Sequence, residues 1–117
     1  MSVLEQVLRE EYMRLDRKVE FYEQQLNSLP KGSIFIRKVG SSSYAYRKIK
    51  ENGKVVSVYL GNVQEESVKH ELMLSEEYHN TKKAISSLKF ELSSLRKAID
   101  SYDRKQRKLY PNNQDSQ

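Results

Sequence analysis

Apolar residues recur in alternating steps of four and three along two stretches of this chain, and a stretch of different period separates them. In the first stretch Leu8, Tyr12, Leu15, Val19, Tyr22, Leu26 and Leu29 form a heptad seam. In the last, the seam reads Leu74, Tyr78, Thr81, Ile85, Leu88, Leu92, Leu95, Ile99, Tyr102, Gln106 and Leu109, with Thr81 and Gln106 as polar interruptions. A helix with such a stripe is stable only when the stripe is covered. Two such helices on one chain of 117 residues predict a helical hairpin within a single domain.

The ends of these stretches carry helix punctuation. Ser2-Val3-Leu4-Glu5 is a capping-box pattern, in which the Ser hydroxyl accepts the third helical N–H and the Glu reaches back. Pro30 ends the first helix, Asn62-Val63-Gln64-Glu65 offers a second capping box, and Tyr110-Pro111 stops the second helix. The expected layout is one domain over 1–110, with a helix in 1–30, a β-region in 31–61 and a long helix in 62–110. A disordered polar tail is expected over 111–117.

The middle stretch alternates instead. Ser33 to Val39 is β-branched and aromatic, Gly40-Ser41-Ser42-Ser43 is a turn or short loop, and Tyr44–Lys50 and Val55–Leu60 flank Glu51-Asn52-Gly53-Lys54. Asn-Gly is the strongest two-residue hairpin signal because both residues tolerate positive φ. The fold class that follows is α+β: a long antiparallel helical hairpin, or coiled coil, with an inserted three-stranded antiparallel β-meander.

A two-residue turn at Asn52-Gly53 sets the register. It pairs Glu51 with Lys54, Ile49 with Val56, Arg47 with Val58, Tyr46 with Tyr59 and Ala45 with Leu60. One face then holds Ala45, Arg47, Ile49, Val56, Val58 and Leu60, the side to bury against a helix. The other holds Tyr44, Tyr46, Lys48, Lys50, Ser57 and Tyr59, rings and ammonium groups on a stiff scaffold that can meet bases and phosphates. The same residues also suit a bland role. Tyr is a good strand former, a Tyr46–Tyr59 pair stabilises a sheet, and lysines protect strand edges.

Charge decides where to look. Residues 1–30 carry a net −2, residues 31–61 a net +6 and residues 62–117 a net +1, so the meander accounts for the whole excess of +5. The candidate nucleic-acid- or partner-binding residues are therefore Arg37, Lys38, Tyr44, Tyr46, Lys48, Lys50, Lys54 and Tyr59. The basic run from Arg104 to Lys108 offers a second contact, although cations near a helix C-terminus also complement the macrodipole.

The helices are unequal, roughly 42 Å and 70 Å at 1.5 Å per residue. If both start at the meander, the shorter one ends opposite about Glu91. Leu92, Leu95, Ile99, Tyr102 and Leu109 then project beyond it, a dimer seam that asks for a second copy. The competing expectation is a long helix broken near Ser86-Ser87 or Ser93-Ser94 and folded back.

Catalytic and metal chemistry are not apparent. The chain has no cysteine, and its two histidines, His70 and His79, are nine apart and share no helical i, i+4 face. The glycines form no phosphate-cradling loop, and Ser41-Ser42-Ser43 has no adjacent base. No catalytic residue, metal ligand or cofactor is expected, and the chain reads as a non-enzyme. No apolar run approaches the ~20 residues of a membrane span. The expected setting is the cytoplasm.

Two resemblances bear on function. Gly32-Ser33-Ile34, Tyr44-Ala45-Tyr46-Arg47 and Asn52-Gly53-Lys54 resemble the three-stranded arm-type DNA-binding domain of tyrosine recombinases, whose strands enter the major groove. That resemblance covers about 30 residues and implies DNA contact through Tyr44, Tyr46, Lys48, Lys50 and Tyr59. It does not extend to the flanking heptad helices. Over the whole chain, Leu29-Pro30-Lys31-Gly32-Ser33 and Gly53-Lys54-Val55-Val56-Ser57-Val58-Tyr59-Leu60-Gly61 are similar to an uncharacterised family of short prokaryotic mobile-element proteins with charged helices on both sides. That resemblance implies the fold and supplies no activity.

The leading expectation is a non-enzymatic nucleic-acid- or nucleoprotein-binding module that dimerises through its coiled coil and contacts phosphates through its meanders. The alternative is a phage or mobile-element protein inhibitor or adaptor, of the anti-CRISPR type, that grips a host nuclease or another protein. Either way the expected partners are nucleic acid or a nucleic-acid-bound protein, and a second copy of the chain, with no membrane.

Overall fold

The computed structural model describes residues 2–109. The elements run α1 (Val3–Ser28), β1 (Ser33–Val39), β2 (Ser42–Glu51), β3 (Lys54–Asn62) and α2 (Glu66–Leu109). The architecture is α+β, two helices flanking a three-stranded antiparallel sheet in the order β1-β2-β3. The tail expected to be disordered, 111–117, lies outside the described residues. The chain divides into two compact units: residues 2–23 with 84–109, and residues 24–83.

The first unit is helical. Ser2 caps α1 as its sequence promises: its Oγ accepts the Glu5 N–H at 3.1 Å. The same oxygen accepts the Tyr102 hydroxyl at 2.5 Å, which ties the first turn of α1 to α2. Further along, Arg9 donates to Asp103 at 3.0 Å, Arg96 to the Tyr12 hydroxyl at 3.0 Å, and Lys89 pairs with Glu23 at 3.4 Å. As the α1 number rises the α2 number falls, so the two segments run antiparallel. Between them Leu15, Val19, Ile85, Leu88, Leu92 and Ile99 are buried.

This register corrects the expected overhang. α1 begins beside Tyr102 and Asp103, so it covers the C-terminal part of α2 and not the part nearest the sheet. Leu92 and Ile99 are buried within the chain, Leu95 and Tyr102 are half-buried, and of the proposed dimer seam only Leu109 is exposed. The reason for demanding a second chain there is gone. α2 is also one continuous helix of 44 residues, with no break at either serine pair.

In the second unit two tight turns build the meander. Gly40-Ser41 joins Val39 to Ser42, so the first turn is shorter than the expected loop and β2 starts at Ser42. Gly40 takes φ +64°, the conformation that a type II′ turn requires at its first central residue. Asn52 and Gly53 take φ 50° and 79°, a type I′ turn. From Glu51–Lys54 to Tyr46–Tyr59 the pairing is the one read from sequence.

One step further the register slips. Ala45 faces Gly61 and not Leu60, because a β-bulge inserts a residue between Tyr59 and Gly61. Gly61 sits at φ +135°, and a Cβ there would lie 2.9 Å from Glu65 Oε2 and 3.1 Å from Val68 Cγ2. The bulge thus brings backbone close to the start of α2, which only glycine permits.

The entry to α2 also differs from the expected box. Asn62 Oδ1 accepts the Gln64 N–H at 2.9 Å, and Val68 and Lys69 donate to the Glu65 carbonyl at 3.1 and 3.0 Å. Asn62 forms a turn and the helix starts at Glu66. The beginning of α2 then lies against the sheet, with Val68 over Gly61 and Glu71 paired to Arg47, and Val68 and Ala45 are buried.

Candidate nucleic-acid interface

Strand alternation sorts the side chains of the second unit onto two faces. The pairing of Ile34 with Arg47 and Ile36 with Ala45 puts Ile34, Ile36 and Lys38 on the side of Ala45, Arg47 and Ile49. Arg47 is 7% exposed there. Its guanidinium donates to the Lys31 carbonyl at 3.2 Å and forms an ion pair with Glu71 of α2. A cation taken from water needs such partners, and Arg47 has both.

The opposite face carries Phe35 and Arg37 from β1, Tyr44, Tyr46, Lys48 and Lys50 from β2, and Val55, Ser57 and Tyr59 from β3. Its rings form a ladder across the strands. Phe35 stacks on Tyr46 with centroids 5.3 Å apart and planes 17° from parallel. Tyr46 and Tyr44 lie 5.4 and 6.2 Å from Tyr59. Two cations sit on this ladder: Lys48 Nζ is 4.9 Å from the Phe35 centroid and Arg37 Cζ is 5.6 Å from that of Tyr46. Each such contact contributes roughly 0.5–1 kcal/mol at an exposed site and restrains a side chain that would otherwise wander.

The electrostatics of this face are one-sided. Its strand residues include no carboxylate. Among the described residues, Arg37, Lys48 and Lys50 have no ion-pair partner, whereas the ion pairs that do form involve Arg9, Arg14, Arg47, Lys69 and Lys89. Tyr59 is 57% exposed at the edge of the ladder. Partial desolvation, then the nearby Glu65 carboxylate and the Tyr44 and Tyr46 phenols, push its phenol above the ordinary value.

Of the eight residues singled out from sequence, Arg37, Tyr44, Tyr46, Lys48, Lys50 and Tyr59 share this face. Lys38 and Lys54 do not: they pair with Ser43 and Glu51 and belong to the side of Arg47. Sequence reasoning missed Phe35, whose assignment needed the β1–β2 register, and that register needed the length of the Gly40-Ser41 turn. It also missed Glu71, which in sequence is one more charged residue on a helix. Arg104, Lys105, Arg107 and Lys108 are exposed in the last turns of α2, where they complement the helix dipole.

No cluster of three His, Cys, Asp or Glu side chains suited to a metal ion occurs among the described residues. No described helix is long and apolar enough to cross a membrane.

The fold and this face define a class: a small α+β chain whose sheet carries an ordered array of rings and unpaired cations. The chain belongs to the family described as a domain of unknown function, DUF6788, which matches residues 3–70. The matched span holds α1, the meander and the start of α2, and it stops one residue short of Glu71. No curated protein and no solved structure matches the chain.

Proposed function

We propose that this chain is a non-enzymatic module that binds nucleic acid through the sheet face of Phe35, Arg37, Tyr44, Tyr46, Lys48, Lys50 and Tyr59. One observation carries the reading: the cations of this face have no carboxylate partner, while Arg47 on the reverse face has one. A cluster of unneutralised charge on a stiff support is the arrangement that phosphates replace counterions on. Phe35 and Tyr46 are engaged with each other and with Lys48 and Arg37, which favours phosphate contact over base stacking as the main source of affinity. Binding of that kind is indifferent to sequence and steeply dependent on salt.

The test is fluorescence anisotropy with labelled duplex and single-stranded oligonucleotides across a salt series. Each duplex phosphate that the protein no longer neutralises lowers the log–log salt slope by about 0.9. Lys48→Glu with Lys50→Glu is expected to weaken binding at least about tenfold and to reduce the slope by about 2. Wild-type protein that fails to bind either oligonucleotide at low salt overturns the reading, and so does binding that the double variant leaves unchanged. In the first case an acidic protein surface becomes the partner to seek, as in the inhibitor alternative.

A further inference from the structure

We propose that β3 is a docking edge for a second copy of this chain, pairing antiparallel with its own β3 about a two-fold axis at Ser57. Both β1 and β3 are edge strands. They are protected very differently. β1 carries Arg37 and Lys38 within its length, whereas Val55 to Leu60 of β3 contains no charged residue. Every residue from Lys54 to Tyr59 is exposed, with Val55 at 66%, Val56 at 39% and Val58 at 41%. An unguarded edge rich in β-branched residues is a template for another strand.

The β3 sequence fits itself. The two-residue turn closes on the Glu51–Lys54 pair, so Lys54, Val56 and Val58 turn their backbone groups toward β2. Val55, Ser57 and Tyr59 then direct theirs outward. An antiparallel pairing centred on Ser57 sets Ser57 opposite the partner copy's equivalent and Val55 opposite its Tyr59 position, all outward-facing and able to exchange both hydrogen bonds. Between these rungs Val56 meets the position of Val58, and both are apolar and on the Arg47 side of the sheet. Val55 with Tyr59 on the other side is a β-branched and aromatic pair, a stabilising combination across strands. The bulge after Tyr59 ends the ladder, so the register has a natural limit. A one-residue slip would place inward-facing backbone groups opposite outward ones. The symmetric register is therefore the one that satisfies every exposed amide between Val55 and Tyr59. Such an interface is isologous and closed, giving a dimer and not a filament.

The experiment uses the full chain. Light scattering across a concentration series is expected to give the mass of two chains. Ser57→Pro removes an outward N–H and no bond to β2, a position where an edge strand accepts proline. It is expected to give the mass of one chain with an unchanged far-ultraviolet circular dichroism spectrum. The chain has no cysteine, so Ser57→Cys introduces a single thiol beside its symmetry mate, and a short bismaleimide is expected to link two chains. Ser94→Cys on the exposed side of α2 serves as the control that stays unlinked. A one-chain mass at every concentration overturns the proposal and leaves the edge to a strand from another protein. A dimer that survives Ser57→Pro, or one in which Ser57→Cys fails to link, places the interface elsewhere and also overturns it.

Discussion

The two faces of the meander contain the same kind of side chain in opposite circumstances. On one face Arg47 is buried, holds the Lys31 carbonyl and pairs with Glu71. On the other, Arg37 and Lys48 lie over aromatic rings with no carboxylate partner. A buried cation must be neutralised locally, so Arg47 belongs to the stability of the second unit. A cation resting on a ring keeps most of its field outside the protein, so Arg37 and Lys48 are available to an incoming anion. Formal charge alone does not separate these cases; the partner does.

The comparison can be broken most forcefully at Arg47. Arg47→Ala leaves Glu71 without its partner and the Lys31 carbonyl without its donor, and is expected to destabilise the protein by about 3 kcal/mol. Urea denaturation measures this, and replacing Arg47 and Glu71 together by Met is expected to recover most of the loss. If Arg47→Ala leaves the midpoint unmoved, the two faces are not different in kind.

A smaller effect is expected at the bulge. Gly61→Ala forces a Cβ into a positive-φ position and against Val68, and is expected to cost about 2 kcal/mol. A thermal melt reads this directly, and oligonucleotide affinity at a temperature where the variant is folded is expected to be unchanged.

The smallest effect lies on the open face. Phe35→Leu removes the ring beneath Lys48 and the stack on Tyr46, and is expected to destabilise by about 1 kcal/mol. Because Lys48 loses its rest and not its charge, affinity for an oligonucleotide is expected to fall only by a factor of about two. A tenfold fall would instead make the ring itself a contact and return base stacking to the picture.

The fold was legible in the sequence where one local rule decided it. Heptad steps located both helices: every seam position from Leu8 to Leu29 and from Leu74 to Gln106 is at least half-buried. Asn52-Gly53 decided the β2–β3 register as far as Tyr46. Legibility ended where the outcome depended on a partner distant in sequence. The periodicity of α2 says which side is covered but not by what, so Leu92 and Ile99 looked like an overhang when α1 covers them. Leu60-Gly61 carried the sign of a bulge in its glycine, yet the close approach of the start of α2 that excludes a side chain there is a contact no local rule supplies. The candidate face was largely visible because alternation is a local rule, and Phe35 escaped because β1 joined it through a turn whose length the four residues Gly40 to Ser43 left open.

The unbroken course of α2 imposes a rule on length. Each residue advances a helix by about 100°, so one inserted near the middle turns everything after it to a new side, while seven return it to within about 20°. Within the first unit Ile85, Leu88, Leu92 and Ile99 of α2 are buried along α1 and need one stripe in phase. Chains related to this one are therefore expected to differ in this part of α2 by whole heptads. In that sense this part of α2 is a ruler graduated in sevens, and its graduation can be checked by counting residues between Ile85 and Ile99 wherever both have counterparts.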